Sequence, residues 1–203
     1  NWVEEDRVVP IEKESNVLYS AYNLDKAKFT ICYAGNLGHT QNLELLLDVA
    51  EELQSNENIQ FVLIGDGVYK SKVEERIHSA NMHNVILLPF QLYELISHVF
   101  SLGDVGLVIS KGGVGQNSVP SKTWSIMAAG RPVLASFDLD SDLNSVIKEA
   151  ECGICVPPDD KESLVKAILD MYENRDKLPI YGEKGRKYIL RNLSRKFGGS
   201  RYV

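Results

Sequence analysis

The residues with the clearest chemical promise lie in one stretch, Val119-Pro120-Ser121-Lys122-Thr123-Trp124-Ser125-Ile126-Met127-Ala128-Ala129-Gly130-Arg131-Pro132-Val133. Pro120, Ser121 and Lys122 stand where a helix would begin, and Gly130 where it would stop before a buried strand. A helix start presents N–H groups without partners and a partial positive charge. The Ser121 hydroxyl and the Lys122 ammonium at that end would complete a seat for a phosphate group. The alternative is that Ser121 caps the helix, Pro120 sets its first turn and Lys122 is solvated.

Other loops carry compatible residues. Gly35-Asn36-Leu37-Gly38-His39, Gly65-Asp66-Gly67, Pro89-Phe90-Gln91 and Ser110-Lys111-Gly112-Gly113-Val114-Gly115 each follow a short apolar run. Glycine lets backbone approach a ligand closely, and turn amides form nests for anions. Each loop also has a plain reading: a tight turn at Gly35–Gly38 or Gly65–Gly67, a rim aromatic at Phe90, a solvated amine at Lys111. The spacing Gly-x4-Gly-Lys-Ser/Thr of a P-loop does not occur. Gly113-x-Gly115-x-x-Ser118 imitates a dinucleotide fingerprint, but Pro120 blocks an immediate helix and no acidic residue closes a later strand. Asp138-Leu139-Asp140-Ser141-Asp142 reads either as carboxylates for Mg²⁺ or Mn²⁺ or, preferably, as a helix cap at Ser141 or Asp142.

The elements that must position these loops alternate. Apolar strands are expected at 29–34, 59–64, 85–88, 105–109, 133–135 and 154–156. Helical spacing is expected at 43–53, around Val73, Ile77 and Ala80, and over 92–100, 143–150, 161–172 and about 179–193. Strands apolar on both faces, alternating with helices, predict an α/β fold: a doubly wound open parallel sheet of about six strands. Ligands bind such sheets outside the carboxyl ends of the strands, where every loop named above falls. Residues 1–27 are polar with little periodicity and read as a linker.

Composition bounds the rest. The chain has 203 residues, a net charge of -6 and 44% hydrophobic residues, the profile of a globular domain. The acidic balance argues against nucleic acid as a partner. The exception is the tail with Lys187, Arg191, Arg195, Lys196 and Arg201, a solvated face or a contact for an anionic membrane surface. There is neither an apolar run of membrane-spanning length nor a signal peptide, and Asn1 in place of Met suggests an internal piece of a longer protein. Three cysteines, Cys32, Cys152 and Cys155, fit a reducing compartment. Cys152-Gly153-Ile154-Cys155 has redox spacing but lies in a strand pattern, and no second pair completes a zinc site.

With these motifs in place, the chain from Phe29 to about Tyr172 resembles the C-terminal, Rossmann-like half of a GT-B glycosyltransferase of the retaining family 4, of the bacterial surface-polysaccharide type. The resemblance rests on Gly35-Asn36-Leu37-Gly38, Gly65-Asp66-Gly67, Leu88-Pro89-Phe90-Gln91, Val119-Pro120-Ser121-Lys122 and Met127–Val133 taken together. It implies a linker at 1–27, a nucleotide-sugar-binding domain at 28–175, and a helical segment at 176–203 that returns toward a separate N-terminal domain with the acceptor site. It implies a UDP-sugar donor as substrate, with no cofactor and no metal, and a sugar or lipid-linked acceptor. It further implies a cytoplasmic enzyme that can meet the inner membrane surface peripherally.

By this resemblance the base would lie against Pro89, Phe90 and Gln91, and the ribose near Trp124 and Ser125. The diphosphate would lie between Gly35, Asn36, Gly38, His39 and the Ser121-Lys122 helix start, with Gly65, Asp66 and Gly67 beside it. The donor sugar would face Lys111 to Asn117, including Gly113; Lys122 and Lys111 would act on the departing diphosphate. Three departures stand out. Ser125 replaces a glutamate that grips the ribose, Asn117 replaces an earlier glutamate, and Asn36, Gln41 and Asn42 stand where an Arg and a Lys are usual. Two other readings are a non-catalytic nucleotide-binding module and a UDP-sugar 2-epimerase-like domain. This half alone is expected to be inactive.

Overall fold

A computed structural model describes residues 8–115 and 119–192. Six strands form one parallel sheet, crossed over by helices. In chain order these are α1 (Val17–Ala21), β1 (Phe29–Ala34), α2 (Leu43–Glu52), β2 (Ile59–Ile64), α3 (Lys70–Ser79), β3 (Val85–Leu88) and α4 (Ile96–Phe100). Then follow β4 (Val105–Ile109), α5 (Ser121–Ala128), β5 (Val133–Ser136), α6 (Asp142–Ala150), β6 (Gly153–Val156), α7 (Lys161–Glu173) and α8 (Leu178–Asn192). The sheet order is β3-β2-β1-β4-β5-β6. All six strands match their expected places.

Alternation along each strand explains why both faces are apolar. Ile31 and Tyr33 of β1, with Phe61 and Leu63 of β2, point into a core shared with α2, α3 and α7. Cys32 and Ala34, with Val62 and Ile64, face the other way, under α1 and α4. On that second face Val108, Val133 and Ala135 meet α5, α6 and the Ile189 end of α8. Helices on both faces leave only the strand ends open, which is the doubly wound arrangement.

Two elements differ from expectation. Residues 92–100 are not one helix: a 3-10 turn at Tyr93–Leu95 leads into the short α4. The segment expected as a linker is, over 8–27, packed on the sheet. Asn16 caps α1, its side-chain oxygen accepting from the Leu18 N–H and its amide donating to His98 O at 2.8 Å. Leu18 and Tyr19 are 1% exposed, and the Tyr19 hydroxyl donates to Leu102 O at 2.7 Å. Five residues leave too few apolar positions for a helical period to be visible in sequence.

The last helix docks on α5 through glycines. A Cβ on Gly182 would lie 2.0 Å from Gly130 O, and one on Gly185 would lie 3.0 Å from the Cys152 side chain. These notches bring the backbone of α8 against the turn that ends α5. Among the described residues no helix is long and apolar enough to cross a membrane.

Candidate functional site

The strand order reverses between β1 and β4, which sit side by side while their connections leave in opposite directions. The loops after these two strands therefore part and leave a crevice, where open parallel sheets bind ligands. The crevice is laced at its floor: Lys111 N–H and Ser110 Oγ–H donate to Thr40 O at 2.9 and 3.2 Å. On the β1 side, Gly35 N–H donates to Ile64 O at 2.9 Å and Leu37 N–H to Asp66 O at 2.8 Å.

Lys122 projects from the start of α5 to the β1 loop. A Cβ on Gly35 would lie 2.7 Å from Lys122 Nζ and 3.1 Å from its Cε, and Gly35 has φ +149°. Only glycine leaves room for the ammonium and tolerates that backbone. Beneath the ammonium lies the Tyr33 ring, its centroid 3.8 Å from Nζ. The Tyr33 hydroxyl donates to Asn36 O at 2.6 Å, so one side chain steadies both the ammonium and the glycine loop. Burial pushes the Lys122 pKa down to about 8, while the ring face favours the charged form. Among the described residues no carboxylate pairs with Lys122. A half-buried ammonium without an anion carries a desolvation cost that an anionic partner would offset.

The α5 end adds to this. Pro120 occupies the cap position without a capping side chain, and Ser121 is the first helical residue, exposed. Ser121 therefore does not cap the helix; it stands exposed beside Lys122 at the end of α5 where the N–H groups lack intrahelical partners, apart from Thr123 N–H, which donates to Pro120 O at 2.9 Å.

The remaining expected residues divide. Phe90 is 73% exposed and Pro89 is exposed beside it, while Gln91 Nε2–H donates to Tyr22 Oη at 2.8 Å and to Pro89 O at 2.7 Å. That loop presents an aromatic face at the sheet edge. Asn36 and His39 are exposed, the His39 ring meeting Tyr69 edge-on at 5.0 Å. Lys111 is exposed across the crevice. Three glycines serve loop packing: a Cβ on Gly65 would lie 1.9 Å from Gly35 O, one on Gly67 2.4 Å from Leu37 O, and one on Gly38 2.6 Å from Asn36 and Gln41 side-chain atoms. Asp66 turns back, accepting from Gly67 N–H at 2.8 Å. Trp124 is 9% exposed and belongs to the same apolar cluster as Ile126 and Phe137, and Ser125 is half-buried. Asn117 lies outside the described residues.

Sequence reasoning missed the anchors of the β4 loop. The Asp159 carboxylate accepts from Gly112 N–H at 3.0 Å and from Asn42 Nδ2 at 2.6 Å. The Asp138 carboxylate accepts from Gly113 N–H at 3.0 Å. These two amides are thus engaged by the protein itself rather than forming an open nest. Ser141 caps α6, accepting from Asn144 N–H, as the cap reading expected. Burial pushes the thiols of Cys32 and Cys152 up to about 12 and that of Cys155 to about 11, leaving them protonated. Among the described residues no group of three or more His, Cys, Asp or Glu is placed to hold a metal.

Comparison with known proteins agrees with this fold. The family described as Glycosyl transferases group 1 matches residues 18–188. The chain is 27% identical over 198 residues, 97% of its length, to the putative colanic acid biosynthesis glycosyl transferase WcaI of Escherichia coli K12, covering 47% of that protein. It is 31% identical over 175 residues, 85% of its length, to the probable glycosyltransferase WbjE of Pseudomonas aeruginosa, covering 43% of it. The chain thus spans about half the length of the curated relatives it matches. Among solved structures, HepE of Anabaena in complex with UDP-glucose superposes with a TM-score of 0.83 at 14% identity, over 99% of this chain and 54% of HepE. The C-terminal domain of the group 1 family protein LpcC of Francisella tularensis superposes with a TM-score of 0.76 at 17% identity, over 95% of this chain and 99% of that one. At these identities the likeness shows the fold.

Proposed function

Because the chain belongs to the glycosyl transferase group 1 family, we propose that it is the donor-binding half of a retaining, metal-independent enzyme that transfers a sugar from a UDP-sugar in bacterial surface-polysaccharide synthesis. The observation that carries this reading is the Lys122 ammonium, without a carboxylate partner among the described residues, over Gly35 at the sheet's switch point. A diphosphate in this crevice would meet the ammonium, the Ser121 hydroxyl and the α5 amides. As the bond to the sugar breaks, negative charge grows on the diphosphate. Fixed positive groups stabilise that charge without reorganising, the usual source of the largest catalytic term. A charge-assisted hydrogen bond from Lys122 would contribute about 1.5–3 kcal/mol. Phe90, exposed at the edge, would stack on the base. The relative named for colanic acid biosynthesis and the neighbour holding UDP-glucose support the choice of pathway class and nucleotide.

The acceptor, a sugar or lipid-linked glycan, would be held by a separate domain, as would any acid or base. The described half would then bind donor and transfer nothing alone, with any contact to the cytoplasmic membrane face made by the whole enzyme. Calorimetric titration with UDP, GDP and ADP tests the reading: UDP should bind preferentially and Lys122→Met should weaken binding by about 10–150-fold. Transfer by the full-length enzyme should survive EDTA; loss restored by Mn²⁺ refutes metal independence. The half-burial of Ser125, a residue too short to grip a ribose as glutamate would, favours a second reading as a non-catalytic nucleotide-binding module. UDP binding without transfer in the full-length protein would select it.

A further inference from the structure

At the opposite end of the sheet, a cavity of about 580 Å³ opens beneath the starts of the strands. Its walls come from Lys28 and Phe29 at the start of β1, Asp104 before β4, Arg131 and Pro132 before β5, and Leu178 and Pro179 at the start of α8. Strands of five or six residues put it roughly 20 Å from Lys122, so it is no part of the nucleotide-sugar crevice.

Its charges do not cancel. Of the acids lining it, Asp104 accepts from Lys13 Nζ at 2.9 Å and from Thr30 N–H at 2.7 Å, and Glu183 pairs with Lys187 at 2.7 Å. That leaves exposed Glu12 against Lys28, Arg131, Arg175 and Arg186, none paired with a carboxylate among the described residues. Among the described residues the three guanidiniums bond only to carbonyls. Arg131 donates to Ile11 O at 2.6 Å, Arg175 to Tyr172 O at 2.8 Å, and Arg186 to Ala128 O and Val8 O. Carbonyls orient a guanidinium and leave its full charge in place. Arg175 also lies over the Tyr172 ring, 4.7 Å from its centroid, which stiffens one wall. Four cations facing one exposed acid, in a chain of net charge -6, make a local positive basin.

We infer that this basin is a second ligand site, for a small soluble phosphate monoester. Guanidinium forks match the oxygens of a phosphate. The volume lies within the range of small-molecule sites, about 300–1,000 Å³.

The test uses the Lys122→Met protein, in which the nucleotide crevice has lost its ammonium. Glucose 1-phosphate and inorganic phosphate are titrated, with glucose as the neutral control, and followed by amide chemical shifts. The site predicts saturable shifts at Lys28, Tyr172, Arg175 and Leu178 with both phosphates and none with glucose. The double substitution Lys28→Gln and Arg175→Ala removes two cations from the rim of the cavity and should weaken phosphate binding by about tenfold. Arg131 and Arg186, which tie down backbone, are left alone so that the fold survives. Glucose binding as tightly as its phosphate, shifts at other residues, non-saturating shifts or an unchanged affinity in the double variant would each overturn the inference. Because Lys122 is absent throughout, none of these outcomes depends on UDP binding.

Discussion

The affinity of this domain for UDP should fall as pH rises from about 7 to about 9, and Lys122 should be the cause. Burial holds the free ammonium at a pKa of about 8 instead of the ordinary 10.5, a penalty of about 3 kcal/mol on the charged form. A bound diphosphate restores the charge, so binding takes up a proton wherever the free side chain is neutral. The neutral fraction is about one tenth at pH 7 and about nine tenths at pH 9, so the apparent Kd should rise about tenfold across that interval. This window lies above the last ionisation of a terminal phosphate, near about 6, so the ligand contributes no slope of its own. Calorimetry at constant ionic strength measures it, with proton uptake read from buffers of different ionisation enthalpy. Lys122→Arg should bind with a flat profile, since a guanidinium does not titrate here. The same penalty gives a second sign. The folded state bears the disfavoured ammonium below pH 8 and sheds it as pH rises, while the unfolded chain stays protonated to about 10.5. Lys122→Met should therefore stabilise the empty domain, by up to about 3 kcal/mol near pH 7, while weakening UDP binding by at least about tenfold. A flat wild-type profile, or a Lys122→Met protein that is both less stable and still competent, would refute the account.

Three further outcomes follow from the packing. Gly35→Ala places a methyl 2.7 Å from Lys122 Nζ at φ +149°, so UDP affinity should drop by at least about tenfold in calorimetry, with a stability loss of about 1–2 kcal/mol. Gly65→Ala drives a methyl to 1.9 Å from Gly35 O; urea unfolding should show a loss of more than about 2 kcal/mol. Tyr33→Phe keeps the ring under the ammonium and loses the hydrogen bond to Asn36 O, costing about 1 kcal/mol of stability, whereas Tyr33→Leu should also move the pH midpoint of UDP binding downward.

The frame of this site was legible in sequence because each of the first four strands is a largely apolar run stopped by Gly35, Gly65, Pro89 or the polar Ser110, and such runs depend on local composition. The seat at Ser121-Lys122 was legible for a similar reason: Pro, Ser and Lys act there through their own backbone geometry and charge. What sequence withheld depends on contacts across the chain. The glycines at 65 and 67 looked open to a ligand, yet each is pressed on the β1 loop. Trp124 looked like an accessible surface for a ligand, yet it is only 9% exposed. Asp159 bears on the crevice from 47 residues beyond Gly112, a distance no local pattern spans. The side-by-side placement of β1 and β4, which creates the crevice, is a property of strand order alone.

The glycine notches that seat α8 have a mechanical consequence. With Gly182 against Gly130 O and Gly185 against the Met127 and Cys152 side chains, the backbone of α8 lies directly on the end of α5, with no side chain of its own as a cushion. Contact that close resists sliding, so a push along α8 is passed to α5 with little slack. At the far end of α5 is Lys122. Whatever takes hold of the carboxyl-terminal helix therefore has a lever on the ammonium, and could draw it toward the Gly35 loop or away from it without entering the crevice.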